Sequence, residues 1–181
     1  MTNKKCVRLR AIEPEDLELM YDIENDMSLW NVGSTNVPYS HFLLQEYITR
    51  STGDIYTDKQ LRLMIEVGQQ TIGIIDLIAY DPRHNRAEVG IVIKKPFRNQ
   101  GYGTQALRQL MDYSLQVLHI HQLYAYVSPD NQYSVQLFRS AGFQQTAVLK
   151  DWLFNGETYS DVLFMQFFKI YKKKSGSYIW R

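Results

Sequence analysis

The stretch Arg98-Asn99-Gln100-Gly101-Tyr102-Gly103 joins a segment that predicts a β-strand, Glu88–Ile93, to one that predicts a helix from about Thr104. Glycine tolerates positive φ and lets the backbone approach a ligand closely. The free N–H groups of such a turn and of the helix that follows can bind phosphate oxygens, and Arg98 adds a charged donor. The loop therefore predicts an anion site. A tight β–α turn whose glycines serve only geometry is the alternative.

The composition is typical of one α/β domain, since the 181 residues are 45% hydrophobic and 22% charged. We expect this domain to span residues 1–170 and to be followed by a basic tail, residues 171–181. The formal net charge of +1 provides no field that would gather nucleic acid or an anionic membrane. Cys6 is the single cysteine, and the four histidines lack metal spacing, so we expect neither disulfide nor metal. No leader or membrane-spanning run is evident, which predicts a cytoplasmic protein.

The elements predicted along the chain alternate between strands and helices. In order they are strand Val7–Ala11, a helix from Glu13 to about Glu24, an irregular segment Asn25–Tyr39, a helix capped by Ser40 and ending near Thr52, strands Leu61–Val67, Thr71–Tyr80 and Ala87–Ile93, helix Thr104–Leu118, strand Leu123–Val127, a helix from Asn131 to about Ala141, and strands Gln145–Phe154 and Glu157–Phe168. Strand, glycine loop, helix and strand make a parallel crossover. The dipeptide Asn155-Gly156 predicts a hairpin. The irregular segment is a candidate substrate lip.

A second motif, Asn131-Gln132-Tyr133-Ser134-Val135-Gln136-Leu137-Phe138-Arg139-Ser140-Ala141-Gly142-Phe143, follows the strand after the glycine loop. Together the two motifs resemble the acetyl-CoA signature of the GNAT N-acetyltransferase superfamily, Gln/Arg-x-x-Gly-x-Gly/Ala and then Asn-x-x-Ser/Ala-x-x-Leu-Tyr/Phe-x-x-x-Gly-Phe. The resemblance covers about residues 6 to 168. Leu9-Arg10-Ala11-x-Glu13-x-x-Asp16-Leu17, Ala87-Glu88 and Phe154-Asn155-Gly156 are similar to the spermidine and ribosomal-protein branches of that superfamily.

The resemblance implies the GNAT fold, a mixed central sheet of six to seven strands flanked by helices. In that fold the two central parallel strands, here Glu88–Ile93 and Leu123–Val127, splay apart in a V that admits the pantetheine arm of acetyl-CoA. The resemblance also implies a set of cofactor contacts. Ile91, Val92 and Ile93 would pair with pantetheine; Arg98, Asn99, Gln100, Gly101, Tyr102, Gly103 and Thr104 would bind the pyrophosphate; Asn131 would bond the arm near the sulfur; and Ser134 and Phe138 would complete the set.

Direct transfer to an amine requires the amine to be neutral. Deprotonating a lysine-like amine of pKa about 10.4 at pH 7 costs about 4.6 kcal/mol, whereas an α-amine of pKa near 8 costs about 1.4 kcal/mol. Glu88 on the central strand is the candidate general base, and Asp76 on the neighbouring strand is the second. For either carboxylate, a structural ion pair or a hydrogen bond to a loop is the alternative.

Departures from the family pattern bear on the thiolate and on the acceptor. At the position of Phe138 relatives usually have a tyrosine. The resemblance implies that the hydroxyl of that tyrosine protonates the leaving thiolate. Here water, Asn131, or the hydroxyl of Ser134 or Tyr133 would have to serve. Spermidine-acetylating relatives also have acids where this chain has Asn36-Val37 and Ala79, which argues for a less charged amine or a different pose. The remaining candidate acceptor residues are Glu24, Asp26, Trp30 and Tyr39.

These observations predict an acetyl-CoA-dependent N-acetyltransferase that acts on a primary amine, with a polyamine or diamine as the first substrate. Protein N-terminal amines of the ribosomal-protein type are the second hypothesis. A non-catalytic acyl-CoA-binding module is the third, because Phe138 lacks a hydroxyl. The C-terminal Tyr178-Ile179-Trp180 could dock on a neighbouring subunit, so a homo-oligomer is a further hypothesis.

Overall fold

A seven-stranded mixed sheet organises the chain, and its strands lie in the order β1-β2-β3-β4-β5-β7-β6. The computed structural model describes residues 6–30 and 37–168. Every neighbouring pair of strands is antiparallel except β4 and β5, which are parallel. The strands are β1 Val7–Ala11, β2 Leu61–Val67, β3 Gln70–Asp81, β4 Arg86–Ile93, β5 Gln122–Val127, β6 Gln144–Phe154 and β7 Tyr159–Phe168.

Helices pack on both faces of the sheet. They are α1 Leu17–Glu24, α2 Met27–Trp30, α3 His41–Arg50, α4 Ile55–Asp58, α5 Tyr102–Gln116 and α6 Gln132–Ser140. The larger apolar cluster packs α5 and α6 against one face, through residues such as Leu107, Val135 and Ile75. The smaller cluster packs α1 and α3 on the opposite face. Since successive side chains of a strand alternate between faces, the two clusters use alternate positions of β2 and β3, for example Met64 and Ile65.

The splay between the central strands is the feature that positions the site. Strands β4 and β5 pair only at Arg86 with Gln122, Ala87 with Leu123, and Glu88 with Tyr124. Beyond Glu88, residues 89–93 of β4 pair with β3 alone, and residues 125–127 of β5 pair with β7 alone. The two strands therefore separate into the predicted V, and the backbone edges that line it have no neighbouring strand within the described residues.

Several boundaries differ from the sequence-based predictions. Helix α5 begins at Tyr102 instead of Thr104, because Gly101 takes φ 81° and the helix starts directly after it. The segment expected to be irregular contains α2, and α4 was not predicted. Each has only four residues, too few for an apolar period to show. The last hairpin turns over residues 155–158 instead of a two-residue Asn-Gly loop. Asn155 closes that turn by accepting hydrogen bonds from the backbone N–H groups of Glu157 and Thr158.

Two predictions concern residues outside the described ranges. They are the loss of an acid at Asn36 and the basic tail, residues 171–181, which includes the Tyr178-Ile179-Trp180 expected to dock on a neighbouring subunit. In the part of the chain that the structure covers, none of the helices has the length and apolar character needed to cross a membrane.

Candidate active site

A cavity of about 970 Å³ opens where β4 and β5 separate, and it extends from the glycine loop to the space under α1 and α3. This volume lies at the upper end of the range for small-molecule sites. Its walls include residues 88–93 of β4, residues 126–128 at and just after the end of β5, and the start of α6. One continuous space therefore connects the predicted phosphate loop with two of the predicted acceptor residues, Glu24 and Tyr39.

The end of the cavity near the glycine loop has the groups that an anion requires. Arg98, Asn99, Gly101, Gly103 and Thr104 line it, whereas Gln100 and Tyr102 do not. No side chain caps the N-terminus of the 15-residue helix α5, so no cap competes for the N–H groups of its first turn. The Nε of Arg98 donates to the carbonyl of Ile93 over 2.8 Å, which holds the exposed guanidinium beside the loop.

The start of α6 forms the facing wall. The side chain of Asn131 caps this helix, because its Oδ1 accepts from the backbone N–H of Ser134 over 3.1 Å. No described residue accepts a hydrogen bond from its side-chain amide, and Asn131, Ser134 and Phe138 all line the cavity. Phe138 is 4% exposed and packs edge-to-face on Phe143, so the position where relatives have a tyrosine serves here as part of the core.

Glu88 lies at the last position where β4 and β5 are paired, and it forms part of the cavity wall. No other described residue forms an ion pair or a hydrogen bond with the carboxylate of Glu88. Burial raises the pKa of Glu88 from the ordinary 4.5 to about 7, because the charged form loses water and gains no compensating partner. A carboxylate with this pKa is suited to accept a proton near neutral pH.

Asp76 is in a different electrostatic setting, although it also lines the cavity. Both of its oxygens accept hydrogen bonds from Arg62, from Nε and from Nη2, each over 3.0 Å. The Nη1 of Arg62 donates to Glu24 over 2.6 Å. We call Glu24, Arg62 and Asp76 the ion triad. Burial raises the pKa of Asp76 against the opposing effect of Arg62, and an ionised Asp76 is what the bidentate geometry holds.

The other predicted acceptor residues are only partly brought together. Tyr39 lines the cavity, and its backbone N–H and carbonyl are both bonded to the side chain of Asn25, which fixes the segment before α3. Asp26 does not line it. Asp26 instead accepts from the Ser28 hydroxyl and pairs with Lys95 over 3.5 Å, and hydrogen bonds from Ser28 lower its pKa. Trp30 ends α2, and its side chain lies outside the described part of the molecule.

The side chains that line the cavity and were not proposed from the sequence include three with polar groups and aromatic rings near the proposed acceptor end, namely Arg62, Tyr47 and Tyr126. The guanidinium of Arg62 lies 5.4 Å from the centre of the Tyr47 ring. For Arg62 and Tyr126, the alternation of side chains along a strand could have indicated a position in the site. Arg62 is a charge inside an apolar strand of the same hairpin as Asp76, and Tyr126 is two residues after Tyr124, the direct neighbour of Glu88.

No group of three or more histidine, cysteine or acidic side chains within residues 6–30 and 37–168 is arranged to hold a metal ion. The prediction that the protein uses no metal therefore stays a prediction.

The seven-stranded splayed sheet and its cavity define an acetyltransferase of the GNAT class, and comparison with known proteins agrees. The chain belongs to the acetyltransferase (GNAT) domain family, whose model matches residues 7–144. It is 27% identical to spermidine N(1)-acetyltransferase of Escherichia coli (strain K12), over 87% of this chain and 83% of that protein. It is 26% identical to the ribosomal-protein-serine acetyltransferase of the same strain, over 87% of this chain and 90% of that protein.

Solved structures show the same relationship. A crystal structure of spermidine N-acetyltransferase from Vibrio cholerae in complex with CoA and spermine matches with a TM-score of 0.79 and 28% identity. The match covers 90% of this chain and 95% of that one. Other structures of the Vibrio cholerae enzyme are described as dodecameric and as a complex with manganese ions. The predicted family, fold and enzyme class are confirmed.

Proposed function

We propose that this acetyltransferase transfers the acetyl group of acetyl-CoA directly to a primary amine, and that a polyamine or diamine is its acceptor. The observation that carries the proposal is the single cavity that joins the uncapped start of α5 to Glu88 across the splay of β4 and β5. The spermidine acetyltransferases similar to this chain, one of them crystallised with CoA and spermine, support both the donor and the acceptor class.

The donor end fits the group it would hold. The N–H groups of residues 101–104 and the guanidinium of Arg98 would bind the pyrophosphate, because anions favour an uncapped helix N-terminus. The backbone of Ile91, Val92 and Ile93 would pair with the pantetheine arm along the edge that β5 leaves unpaired. Bound acetyl-CoA supplies the activated thioester, and the amide N–H groups of Asn131 would bond the arm near the sulfur.

Glu88 would act as the general base, because its carboxylate is unpaired among the described residues and its pKa is raised to about 7. Asp76 is the weaker candidate for that role, since both of its oxygens already accept from Arg62. In the transfer, a C–N bond forms and the C–S bond breaks. Glu88 first takes one proton from the ammonium form, which frees the lone pair that attacks the thioester. After the C–S bond breaks, the second proton leaves the acylated nitrogen and reaches the thiolate through water or a cavity hydroxyl.

We favour the hydroxyls of Tyr126 and Ser134 as proton donors to the thiolate, since both residues line the same cavity as Phe138. Tyr133 also lines it but is 72% exposed. Burial raises the pKa of Tyr126, which keeps its hydroxyl protonated and able to donate at neutral pH.

Acceptor turnover tests the proposal. Thiol release from acetyl-CoA is followed with spermidine, with diamines, and with peptides that carry a ribosomal-type N-terminal serine. Turnover of spermidine or a diamine is expected. Turnover of the peptide alone would favour the second candidate, which the similarity to the ribosomal-protein-serine acetyltransferase supports. CoA binding without turnover of any amine would favour the non-catalytic module suggested by Phe138.

Two further proposals rest on the relatives and the sequence. We propose that the chain forms a homo-oligomer, as the dodecameric Vibrio cholerae enzyme does. We also propose that residues 1–170 form one domain and residues 171–181 a basic tail. Sedimentation and limited proteolysis would test the two statements separately.

A further inference from the structure

Four aromatic side chains form a continuous group on the strands that follow the splay, and we call this group the aromatic wall. It consists of Tyr124 and Tyr126 of β5, Phe164 of β7 and Trp152 of β6. The Tyr126 ring stacks on Trp152 with centroids 6.0 Å apart and lies 5.3 Å from Phe164, which lies 5.5 Å from Tyr124. Trp152 is 55% exposed and Tyr126 40% exposed. Large rings with this much exposure, in mutual contact, form a surface that a ligand can cover.

The wall is not part of the hydrophobic core. None of its four residues belongs to the cluster under α5 and α6 or to the cluster under α1 and α3. The strand register explains this. Tyr124 is the direct neighbour of Glu88, and Phe164 is the direct neighbour of Tyr126, so the wall shares the face of the sheet that carries Glu88. Helices α1 and α3 pack on the other half of that face, against residues such as Met64 and Ile74.

The wall is continuous with the proposed active site. Tyr126 and Glu88 line the same cavity. Glu88 is paired directly with Tyr124 across the two strands, and its charge contributes, after the larger effect of burial, to raising the pKa of both Tyr124 and Tyr126. An acceptor whose reacting nitrogen lies at Glu88 would therefore extend its chain along the wall if it points away from α1 and α3.

In the alternative direction, toward the ion triad, the carboxylates of described residues that line the cavity are each paired with a cation. Of the acids lining the cavity in the described residues, Glu24 and Asp76 are both bonded to Arg62. A second ammonium group that moves toward the ion triad would meet the guanidinium as well as the two carboxylates. Aromatic faces attract ammonium groups through their quadrupole, and tryptophan does so best. The wall offers this attraction next to a carboxylate. The cation that acts on both of its tyrosines is Arg86, whose effect on their pKa is smaller than that of Glu88 and which pairs with Asp81 over 3.4 Å.

We propose that the aromatic wall is a subsite for the second, non-reacting ammonium group of a diamine or polyamine acceptor, with Trp152 and Tyr126 as the specificity-determining residues. The inference rests on the proposed function, since it requires a small amine that reacts beside Glu88. In this arrangement cation–π contacts at the wall take the place of the acids that the chain lacks at Val37 and Ala79.

Two acceptors of equal length test the subsite, 1,5-diaminopentane and pentylamine, which differ only in the second nitrogen. Trp152→Leu keeps apolar area and removes the quadrupole. We expect it to raise KM for the diamine by roughly 5- to 30-fold, equal to about 1–2 kcal/mol, with kcat nearly unchanged. KM for pentylamine should change by less than about twofold, and Trp152→Phe should recover part of the loss for the diamine.

Phe154→Leu is the matched control. Phe154 lies on the same strand and is 56% exposed, but its ring contacts Tyr159 instead of the wall. It should leave KM unchanged for both amines. Equal losses for the two amines in Trp152→Leu would overturn the subsite in favour of a simple apolar surface. An unchanged KM together with a smaller oligomer by sedimentation would overturn it in favour of a contact between copies of the chain.

Calorimetric titration of 1,5-diaminopentane into the protein saturated with CoA separates this inference from the proposed function. If the parent protein acetylates neither these two amines nor spermidine, the proposed acceptor class fails, and binding still reports on the wall. Diamine binding that weakens at least fivefold in Trp152→Leu would support the subsite even then. No binding, or binding that Trp152→Leu leaves unchanged, would overturn it.

Discussion

Replacing Glu88 by glutamine removes the proposed base and changes the shape of the side chain very little. Transfer of a proton from an ammonium group of pKa about 10.4 to an ordinary carboxylate of pKa 4.5 is uphill by about 8 kcal/mol. With the pKa of Glu88 raised to about 7, the same transfer is uphill by only about 4.6 kcal/mol. We therefore expect Glu88→Gln to lower kcat/KM for a polyamine by roughly 10²- to 10⁴-fold, the usual worth of a positioned general base.

The pH profile is the sharper readout. In the parent protein, kcat/KM should rise with pH and level off above about 7, as Glu88 loses its proton. In Glu88→Gln the residual rate should follow the deprotonation of the amine itself and keep rising toward pH 10. The assay is thiol release at saturating acetyl-CoA, and Glu157→Gln in the last hairpin is the control. A reduced rate with an unchanged profile, or a rate within threefold of the parent, would refute the role of Glu88.

Glu88→Gln should increase the stability of the fold above neutral pH, although it lowers the rate. The pKa of Glu88 is higher in the folded protein than the ordinary 4.5, so the folded state holds the extra proton between pH 4.5 and about 7. Stability is therefore lost as the pH rises through this window. The difference in pKa corresponds to about 3 kcal/mol at most, and solvent around the half-buried side chain reduces it to about 1–2 kcal/mol. Urea unfolding should show Glu88→Gln to be more stable than the parent at pH 8 and equal to it at pH 4.

Three other substitutions test the donor loop, the sheet and the ion triad. Arg98→Ala should weaken CoA binding by roughly 10- to 100-fold in calorimetry, because one charge-assisted contact is lost, and unchanged affinity would remove Arg98 from the pyrophosphate site. Gly73→Ala should destabilise the fold by about 2 kcal/mol or more in urea, because a Cβ there would collide with the carbonyl oxygen of Val92. In Gly90→Ala the Cβ would lie 3.8 Å from the Cβ of Asp76, an ordinary contact, so an equal loss would contradict the steric argument. Arg62→Met should cost about 3–5 kcal/mol, because it removes the guanidinium that bonds both Glu24 and Asp76. The loss should be smaller at low pH, because burial raises the pKa of Asp76 and favours its neutral form, and a loss independent of pH would exclude the charge of Asp76 as the cause.

The order of strands and helices was predictable because each long element shows its own period in the sequence. The crossover from β4 through α5 to β5 followed from an apolar strand, a glycine loop and a helix with buried Ala106, Leu107 and Leu110 on one face. Strand irregularities could not be predicted in this way. Ala79 has φ 49° where the pairing of β3 with β4 is interrupted after Ile78, and Asp151 has φ 49° in a similar interruption of β6. Neither residue type marks a left-handed conformation as glycine does.

The residues of the site were predictable to the extent that they belong to motifs. The glycine loop was found from its own residues and Asn131 from the resemblance to the GNAT superfamily, and both line one cavity in the structure. The partner of Asp76 was not found, because Arg62 lies 14 residues away on β2 and the pairing depends on the exact register of the hairpin. A shift of one residue would move Arg62 to the opposite face of the sheet. Ionic partners across strands therefore follow from register, which the sequence of one chain specifies only weakly.

The topology itself accounts for the position and the pKa of Glu88. Pairing between β4 and β5 ends at Glu88 and Tyr124, so Glu88 lies at the apex of the V that would admit the donor. At that apex the carboxylate is flanked by apolar strand residues and by the rings of β5, and no described cation reaches it, which is why burial raises its pKa. Position and pKa thus follow from the parallel crossover of the fold. The acceptor surroundings instead depend on individual side chains of β2, β3, β5 and β6, such as Arg62, Asp76, Tyr126 and Trp152. Substitutions among these four should change which amine is used while leaving the base in place.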